Sequence, residues 1–94
     1  MKTPQKRIID AGDARSLMNN PLLTEAFSAV DGYLDAQALA CDADNKDKAQ
    51  RIVISKQLLA GIKREITRYI EDGTVAEIQL QELERKKKLF DFRR

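Results

Sequence analysis

The chain has 94 residues, of which 43% are hydrophobic and 34% charged, and its formal net charge is +2. We expect one domain over residues 1–94, which would bury only about 60–65% of the surface exposed when the chain is unfolded. No apolar run approaches the roughly 20 residues that cross a membrane, and no apolar stretch follows the basic start, so neither an anchor nor a secretory signal is expected. The single Cys41 cannot form a disulfide within the chain and suits a reducing cytoplasm.

Motifs that carry chemistry are missing from the sequence. There is no histidine, which excludes nucleophile–histidine pairs and histidine-ligated metal sites. The four glycines stand apart in the sequence, so none forms a phosphate-binding loop. The sequence therefore predicts a protein that is not an enzyme, with no cofactor, no metal and no small-molecule substrate.

The first predicted element is a short helix. Thr3–Pro4 could cap a helix, because proline is tolerated in the first turn. Gly12, which lies between two aspartates, is expected to interrupt that helix. The sequence therefore predicts a flexible segment over residues 1–12 and a short helix over Asp13–Asn19.

Two long helices follow and are predicted to form an antiparallel hairpin. Asn20–Pro21 is suited to the N-cap and first position of a helix that runs to about Cys41. A polar turn, Asp42–Lys48, separates it from a second helix over about Asp47–Glu71. Apolar residues at 3/4 spacing line one side of each helix. The facing partners in this seam are Leu23 and Ile70, Phe27 and Ile66, Val30 and Ile62, Leu34 and Leu59, and Cys41 and Ile52. Lys56 is expected on the exposed side.

A third helix is predicted after Gly73, a residue suited to the left-handed position that ends a helix. Thr74 and Glu77 have the spacing of a capping box, and helical spacing continues through Leu83 to the basic run. Residues 89–94 are expected to form an exposed tail. The predicted fold is therefore all-α, an antiparallel helical hairpin with a short N-terminal helix and a C-terminal helix.

Two mid-helix glycines, Gly32 and Gly61, are predicted to face away from the hairpin seam. Because glycine inside a helix costs about 1 kcal/mol relative to alanine, close approach of another backbone is expected there. Small residues surround Gly32 on the same stripe. The candidate packing residues are Ala29, Gly32, Ala36 and Gly61. The backbone that packs on them is either the third helix or another subunit of a homo-oligomer, and the remaining alternative is that the two glycines have no packing role.

Positive charge is concentrated near the C-terminus. Residues 1–45 hold four basic and seven acidic side chains, whereas residues 46–94 hold thirteen and eight. Two phenylalanines lie among the last cations, where a small domain has little use for them in its core. The candidate protein-binding residues are Phe90, Phe92, Arg93 and Arg94. Arg85, Lys86, Lys87 and Lys88 could contact nucleic-acid phosphates or remain solvated at a helix end.

The segments Leu17–Leu23, Glu25–Phe27, Glu71–Ala76 and Leu83–Lys88 resemble small all-helical proteins of tailed bacteriophages, which are commonly encoded among head and DNA-packaging genes. The resemblance covers roughly residues 15–89, and the helical build is similar to that of small terminase subunits. It implies a helical hairpin that packs into rings and a tail that engages a partner. This chain differs in having no evident helix-turn-helix.

Together these features predict an interaction or assembly protein, a bacteriophage virion or DNA-packaging component of the host cytoplasm or the virion. Its expected partner is a protein, either itself or another phage or host protein, with nucleic acid possible and no membrane. One alternative is a basic nucleic-acid-binding protein. Another is a phage-encoded inhibitor that docks on a host protein.

Overall fold

The computed structural model describes residues 2–92, with side chains described as far as Phe90. Over this range the chain forms three helices and no strand, namely α1 (Pro4–Met18), α2 (Pro21–Ala40) and α3 (Lys46–Phe92). The predicted all-α class is therefore confirmed. The chain divides into two compact units, a crossing unit of Met1–Ser16 with Thr67–Arg94 and a hairpin unit of Leu17–Ile66.

Helix α1 is longer than the sequence predicts. The Thr3 hydroxyl oxygen accepts a hydrogen bond from the Lys6 backbone N–H at 3.1 Å, which caps the first turn. From there the helix continues through Gly12 to Met18, so the prediction of a break at Gly12 and a short helix from Asp13 was wrong. Ala11 and Ala14 are buried. Their packing outweighs the roughly 1 kcal/mol that a mid-helix glycine costs.

The ends of α2 agree with the predicted caps. The Asn20 side-chain oxygen accepts hydrogen bonds from the backbone N–H groups of Leu22 at 2.9 Å and Leu23 at 3.4 Å. Pro21 occupies the first turn, where its missing N–H leaves no unmade bond. At the start of α3, the Asn45 side-chain oxygen accepts from the Lys48 N–H at 3.2 Å. Two asparagine caps therefore fix where the helices flanking the turn begin.

The hairpin unit has a narrow core. Leu34 of α2 and Ile52 and Leu59 of α3 are buried, and Phe27 and Ile66 are half-buried. The Lys63 ammonium group lies 5.6 Å from the centre of the Phe27 ring. This cross-helix contact falls within one turn of the predicted level, and the predicted antiparallel hairpin is confirmed.

The seam is less closed than predicted near its middle and more polar at one edge. Val30 and Ile62 remain about half exposed, because two helices alone cover only a narrow stripe of each other. Lys56 does not extend freely into solvent. Its ammonium group pairs with the Asp35 carboxylate and lies 3.9 Å from that of Asp31. The hydrogen bond that Lys56 donates to the Asp35 carboxylate, more than the nearby charges, raises the pKa of Lys56.

Helix α3 does not end at Gly73, so the predicted break and separate C-terminal helix were wrong. No residue in the described part of the chain has a positive φ, which the predicted C′ position requires. The Thr74 hydroxyl donates to the Ile70 carbonyl oxygen at 3.2 Å rather than forming a capping box. Gly73 is instead a point of close helix contact. A Cβ atom at this position would overlap the Cβ of Ala11 and lie 3.2 Å from the Arg7 carbonyl oxygen.

A guanidinium fork, formed by Arg7 with Asp72, holds α1 on α3 beside the close helix contact at Gly73. The Arg7 Nε and Nη2 atoms donate to the two carboxylate oxygens of Asp72 at 3.0 and 2.7 Å. Its Nη1 atom donates to the Gln79 side-chain oxygen at 3.0 Å. This bidentate geometry is the strong form of a charge-assisted hydrogen bond. The hydrogen bond from Arg7 lowers the pKa of Asp72 below its ordinary value.

A second carboxylate, that of Asp10 on α1, forms ion pairs with two lysines. The ammonium groups of Lys2 and Lys6 each lie 2.8 Å from an Asp10 oxygen. The hydrogen bond from Lys2, followed by that from Lys6, lowers the pKa of Asp10. Lys2 also lies 4.7 Å from the centre of the Tyr69 ring, so it joins the start of the chain to α3.

Candidate interaction surfaces

Helix α2 carries a second apolar stripe that the hairpin does not cover. Its residues alternate steps of four and three, which places them on one side of a helix. All six are exposed, and Leu22 and Tyr33 expose 74% and 63% of their surface. The stripe consists of Leu22, Ala26, Ala29, Tyr33, Ala36 and Ala40. A helix that is apolar on two sides is normally buried on two sides.

Helix α3 has a matching stripe of Ile54, Leu58 and Gly61. Both stripes run one residue ahead of the helical spacing of the seam, as Leu58 and Gly61 precede Leu59 and Ile62, so they lie about 100° from the seam. Leu58 exposes 64% of its surface. We call the nine residues of the two stripes the apolar face.

The opposite flank of the hairpin unit is polar, and it fixes the orientation of the apolar face. Asp31, Asp35 and Lys63 each follow a seam residue by one. Lys56 follows Ser55, which keeps the helical spacing of the seam, and it meets the two aspartates across the helices. Because the +1 flanks of an antiparallel pair meet on one side, the −1 flanks meet on the other. The two stripes of the apolar face therefore form one continuous surface within the hairpin unit.

The small residues predicted to pack against another backbone lie on or beside this face. Ala29, Gly32 and Ala36 are exposed, and Gly61 is half-exposed. A Cβ atom placed on Gly32 or Gly61 would meet no atom of the described chain within 4 Å. The interpretation that the third helix covers them was therefore wrong, because the element after Gly73 continues α3. Packing by another subunit stays a prediction.

The predicted C-terminal sites lie at the end of α3. Arg85, Lys86, Lys87 and Lys88 are all exposed, as are Leu89 and Phe90, whose surfaces are 59% and 66% exposed. Consecutive residues of a helix are about 100° apart, so the four cations encircle the helix rather than share one side. The side chain of Phe92, and all of Arg93 and Arg94, lie outside the described residues.

The remaining chemistry of the described chain is sparse. Residues 2–90 contain no group of three or more acidic, cysteine or histidine side chains arranged to hold a metal ion. The half-buried Cys41 thiol lies 3.5 Å from the Asp42 carbonyl oxygen and 3.7 Å from that of Asn45, at the hairpin turn. Over the same part of the chain, no helix has the length and apolar content needed to cross a bilayer.

Comparison of the chain with profiles of known protein families, with curated proteins and with solved structures finds no match.

Two large residues of the apolar face were not singled out from the sequence, namely Leu22 and Tyr33. Both keep the four-and-three spacing of the small residues around Ala29, so the spacing itself was the available signal. The seam stripe lies one residue later and contains larger side chains, which made it the more obvious candidate for burial. The structure separates the two stripes because only one of them faces α3.

Proposed function

We propose that this chain is a helical interaction and assembly protein, without enzymatic activity, whose main binding surface is the apolar face of the hairpin unit. The observation that carries this proposal is the exposure of Leu22, Tyr33 and Leu58 on one side of a hairpin whose own core is thin. Large apolar patches on small proteins mark sites where another molecule binds.

The size of the apolar face supports this function. With 20 residues, α2 is about 30 Å long, and two adjacent helices are about 20 Å wide. The stripe on α3 spans only about 12 Å, so the flat area of the face is on the order of 400 Å². This is the size of the largest apolar patch on a typical monomeric protein, and such patches often mark binding sites.

The biological setting that we propose is a bacteriophage particle or its DNA-packaging machinery. Its support is the resemblance of residues 15–89 to small helical proteins of tailed phages. A helical hairpin with an exposed apolar face is suited to repeated packing in such an assembly, because the surface can bind protein without any catalytic site.

A photo-crosslinking amino acid tests the binding surface directly. We expect benzoylphenylalanine at position 58, on the apolar face, to give covalent adducts with a protein when irradiated in cells that express the chain. The same amino acid in place of Ser28, which is exposed on the polar flank, is the matched control and should give none. Equal labelling at the two positions would contradict the proposal.

Nucleic-acid binding is a second candidate function, favoured by one observation. Arg85, Lys86, Lys87 and Lys88 are exposed in succession on α3, where phosphate groups could reach them. Binding of this kind depends steeply on salt, because it releases counterions from the nucleic acid. The apolar face takes no part in it.

A further inference from the structure

We infer that α1 is a strap that opens from α3 while the hairpin unit stays folded, and that the guanidinium fork of Arg7 controls how often it opens. The inference concerns the crossing unit alone, so it does not depend on what binds the apolar face. Three features support it, namely the small size of the buried residues, the polar contacts beside them and the weakness of α1 as an isolated helix.

The buried contact between α1 and α3 is made by residues with a methyl side chain or none. In the described part of the crossing unit, the buried residues are Ala11, Ala14, Gly73 and Ala76. None of the large apolar side chains of α1 is buried, and Ile9 exposes 59% of its surface. Because the hydrophobic free energy grows with the apolar area removed from water, this contact stabilises the fold less than a core of leucines would.

The hairpin unit holds its two helices together with larger side chains. Leu34, Ile52 and Leu59 are buried there, and each removes a four-carbon side chain from water. The free energy needed to open the hairpin should therefore exceed the free energy needed to lift α1 from α3. Regions of lower stability open by themselves in native proteins while the more stable regions stay closed.

Polar contacts complete the attachment of α1. The guanidinium group of Arg7 donates to the Asp72 carboxylate and to the Gln79 side-chain oxygen. The Lys2 ammonium group lies 4.7 Å from the centre of the Tyr69 ring. The side chains of Asp72 and Lys2 are 47% and 48% exposed, so dissolved ions reach these contacts and screen them. Higher ionic strength should therefore favour the open state.

The strap should unfold once it leaves α3. Helix α1 has 15 residues, a length at which an isolated helix is marginally stable in water. Gly12 lowers its stability further, because glycine is a poor helix former. A Cβ atom at Gly12 would meet no described atom within 4 Å, so packing does not require a glycine there. Opening then unfolds α1 and uncovers Gly73 and Ala76 of α3.

Hydrogen–deuterium exchange of the full-length chain, followed by mass spectrometry, tests the strap. When closing is faster than exchange, the protection of each amide measures the free energy of the opening that exposes it. The amides of residues 11–18 should be at least about tenfold less protected than those of residues 30–38 in α2. Raising the NaCl concentration from about 0.05 to about 0.5 M should accelerate the α1 amides by at least about twofold, and the α2 amides by less.

Two substitutions in α1 should shift this exchange in opposite directions. Arg7→Gln removes the fork and should accelerate the α1 amides about threefold or more. Gly12→Ala should slow them by about two- to fivefold, because alanine favours the helix. Arg15→Gln is the matched control, since it removes the same charge from an exposed position of α1, and it should change the rates by less than about twofold. The amides of residues 30–38 should be unaffected by all three.

Equal protection of the α1 and α2 amides, with equal slowing of both by Gly12→Ala, would overturn the strap, because α1 would then leave only when the whole chain unfolds. Faster exchange of α1 that responds neither to salt nor to Arg7→Gln would overturn the role of the fork. Neither result bears on crosslinking at position 58, so this inference and the proposed function fail independently.

Discussion

Gly73 of α3 lies against Ala11 of α1 so closely that no side chain fits between the two helices. Ala76, one turn further along α3, is fully buried beside this crossing. Small residues on both helices let the backbones approach, and the Arg7 fork to Asp72 holds them together at one edge. The position of α1 therefore depends on the absence of a side chain at one residue.

Gly73→Ala should destabilise the protein by about 1–3 kcal/mol, because overpacking a tight contact forces backbone shifts. Gly12→Ala is the matched control, since a Cβ atom there meets no described atom within 4 Å. It should instead stabilise the protein by about 0.5–1 kcal/mol through better helix propensity. Thermal unfolding monitored by circular dichroism measures both, and a shift of the same sign in the two variants would contradict the crossing.

Acid should weaken the attachment of α1. Asp72 has a pKa lowered by the hydrogen bond from Arg7, and Asp10 has one lowered by those from Lys2 and Lys6. A carboxylate with a depressed folded-state pKa stabilises the fold above its unfolded pKa of about 3.9, and this contribution is lost as pH falls through the lower folded value. Unfolding temperature should therefore fall from about pH 5 downward.

Asp72→Asn should flatten this acid dependence, because the variant has no proton to take up at that position. The comparison is Asp13→Asn, which removes the same charge from an exposed position of the same unit and should lower the unfolding temperature at neutral pH less than Asp72→Asn does. Arg7→Lys should resemble Asp72→Asn at neutral pH, because an ammonium group cannot reproduce the bidentate fork. Identical pH profiles for wild type and Asp72→Asn would show that the fork contributes nothing to stability.

The sequence was sufficient to predict the hairpin of α2 and α3, but not the close contact between α1 and α3 at Gly73. Asn20 and Asn45 act on amides within three residues, so their roles can be inferred locally. Gly73 depends on Ala11, which is 62 positions away in the chain. A glycine followed by Thr74 and Glu77 favours a helix end when only neighbours are considered. The spacing held a further signal, because Gly73 follows Leu59 and Ile66 at seven-residue intervals.

The candidate interaction residues also differ in how far sequence spacing predicts them. The position of Ala29, Gly32 and Ala36 outside the seam followed from the hairpin prediction. Their exposure did not, because the sequence predicted that another backbone, for example a third helix, packs against them. The polar flank could not be inferred, because Lys56 reaches Asp35 only through a long side chain, and the seam pattern says nothing about such reach. Sequence spacing predicts which side of a helix a residue occupies, but not which neighbour it finds there.

The hairpin core should be sensitive to truncation at its centre. Leu59→Ala removes a buried side chain from a narrow seam and should cost about 2–5 kcal/mol. Gln57→Ala, at an exposed position two residues earlier, should change stability by less than about 0.5 kcal/mol. Denaturant unfolding of the two variants gives the difference, and equal losses would contradict the burial of Leu59 against α2.

The C-terminal segment should contribute little to stability, since Leu89 and Phe90 are about two-thirds exposed. Deleting Leu89–Arg94 should leave the unfolding temperature within a few degrees of that of the wild-type chain. If these residues anchor a protein partner, the same deletion should abolish its binding, because exposed aromatic side chains commonly serve as hot spots. Loss of the fold on deletion would instead assign the two side chains to the core.

Any binding of duplex DNA by the basic segment should be weak and salt-sensitive. Because Arg85, Lys86, Lys87 and Lys88 spread around the helix, about two of them can face a duplex at once. The logarithm of the binding constant should then fall against the logarithm of salt concentration with a slope of about −2. A much steeper slope would mean that cations elsewhere in the chain also contact phosphate.

The location of any such DNA contact can be tested with two variants that remove equal charge. Lys86→Gln with Lys87→Gln should abolish the salt-dependent retention of duplex DNA, measured by fluorescence anisotropy across a salt series. Lys46→Gln with Lys48→Gln, at the start of α3, is the control and should preserve most of it. Equal loss in the two would assign binding to overall charge rather than to this segment. Neither pair touches the apolar face, so crosslinking at position 58 should persist in both, which separates the two candidate functions in one set of proteins.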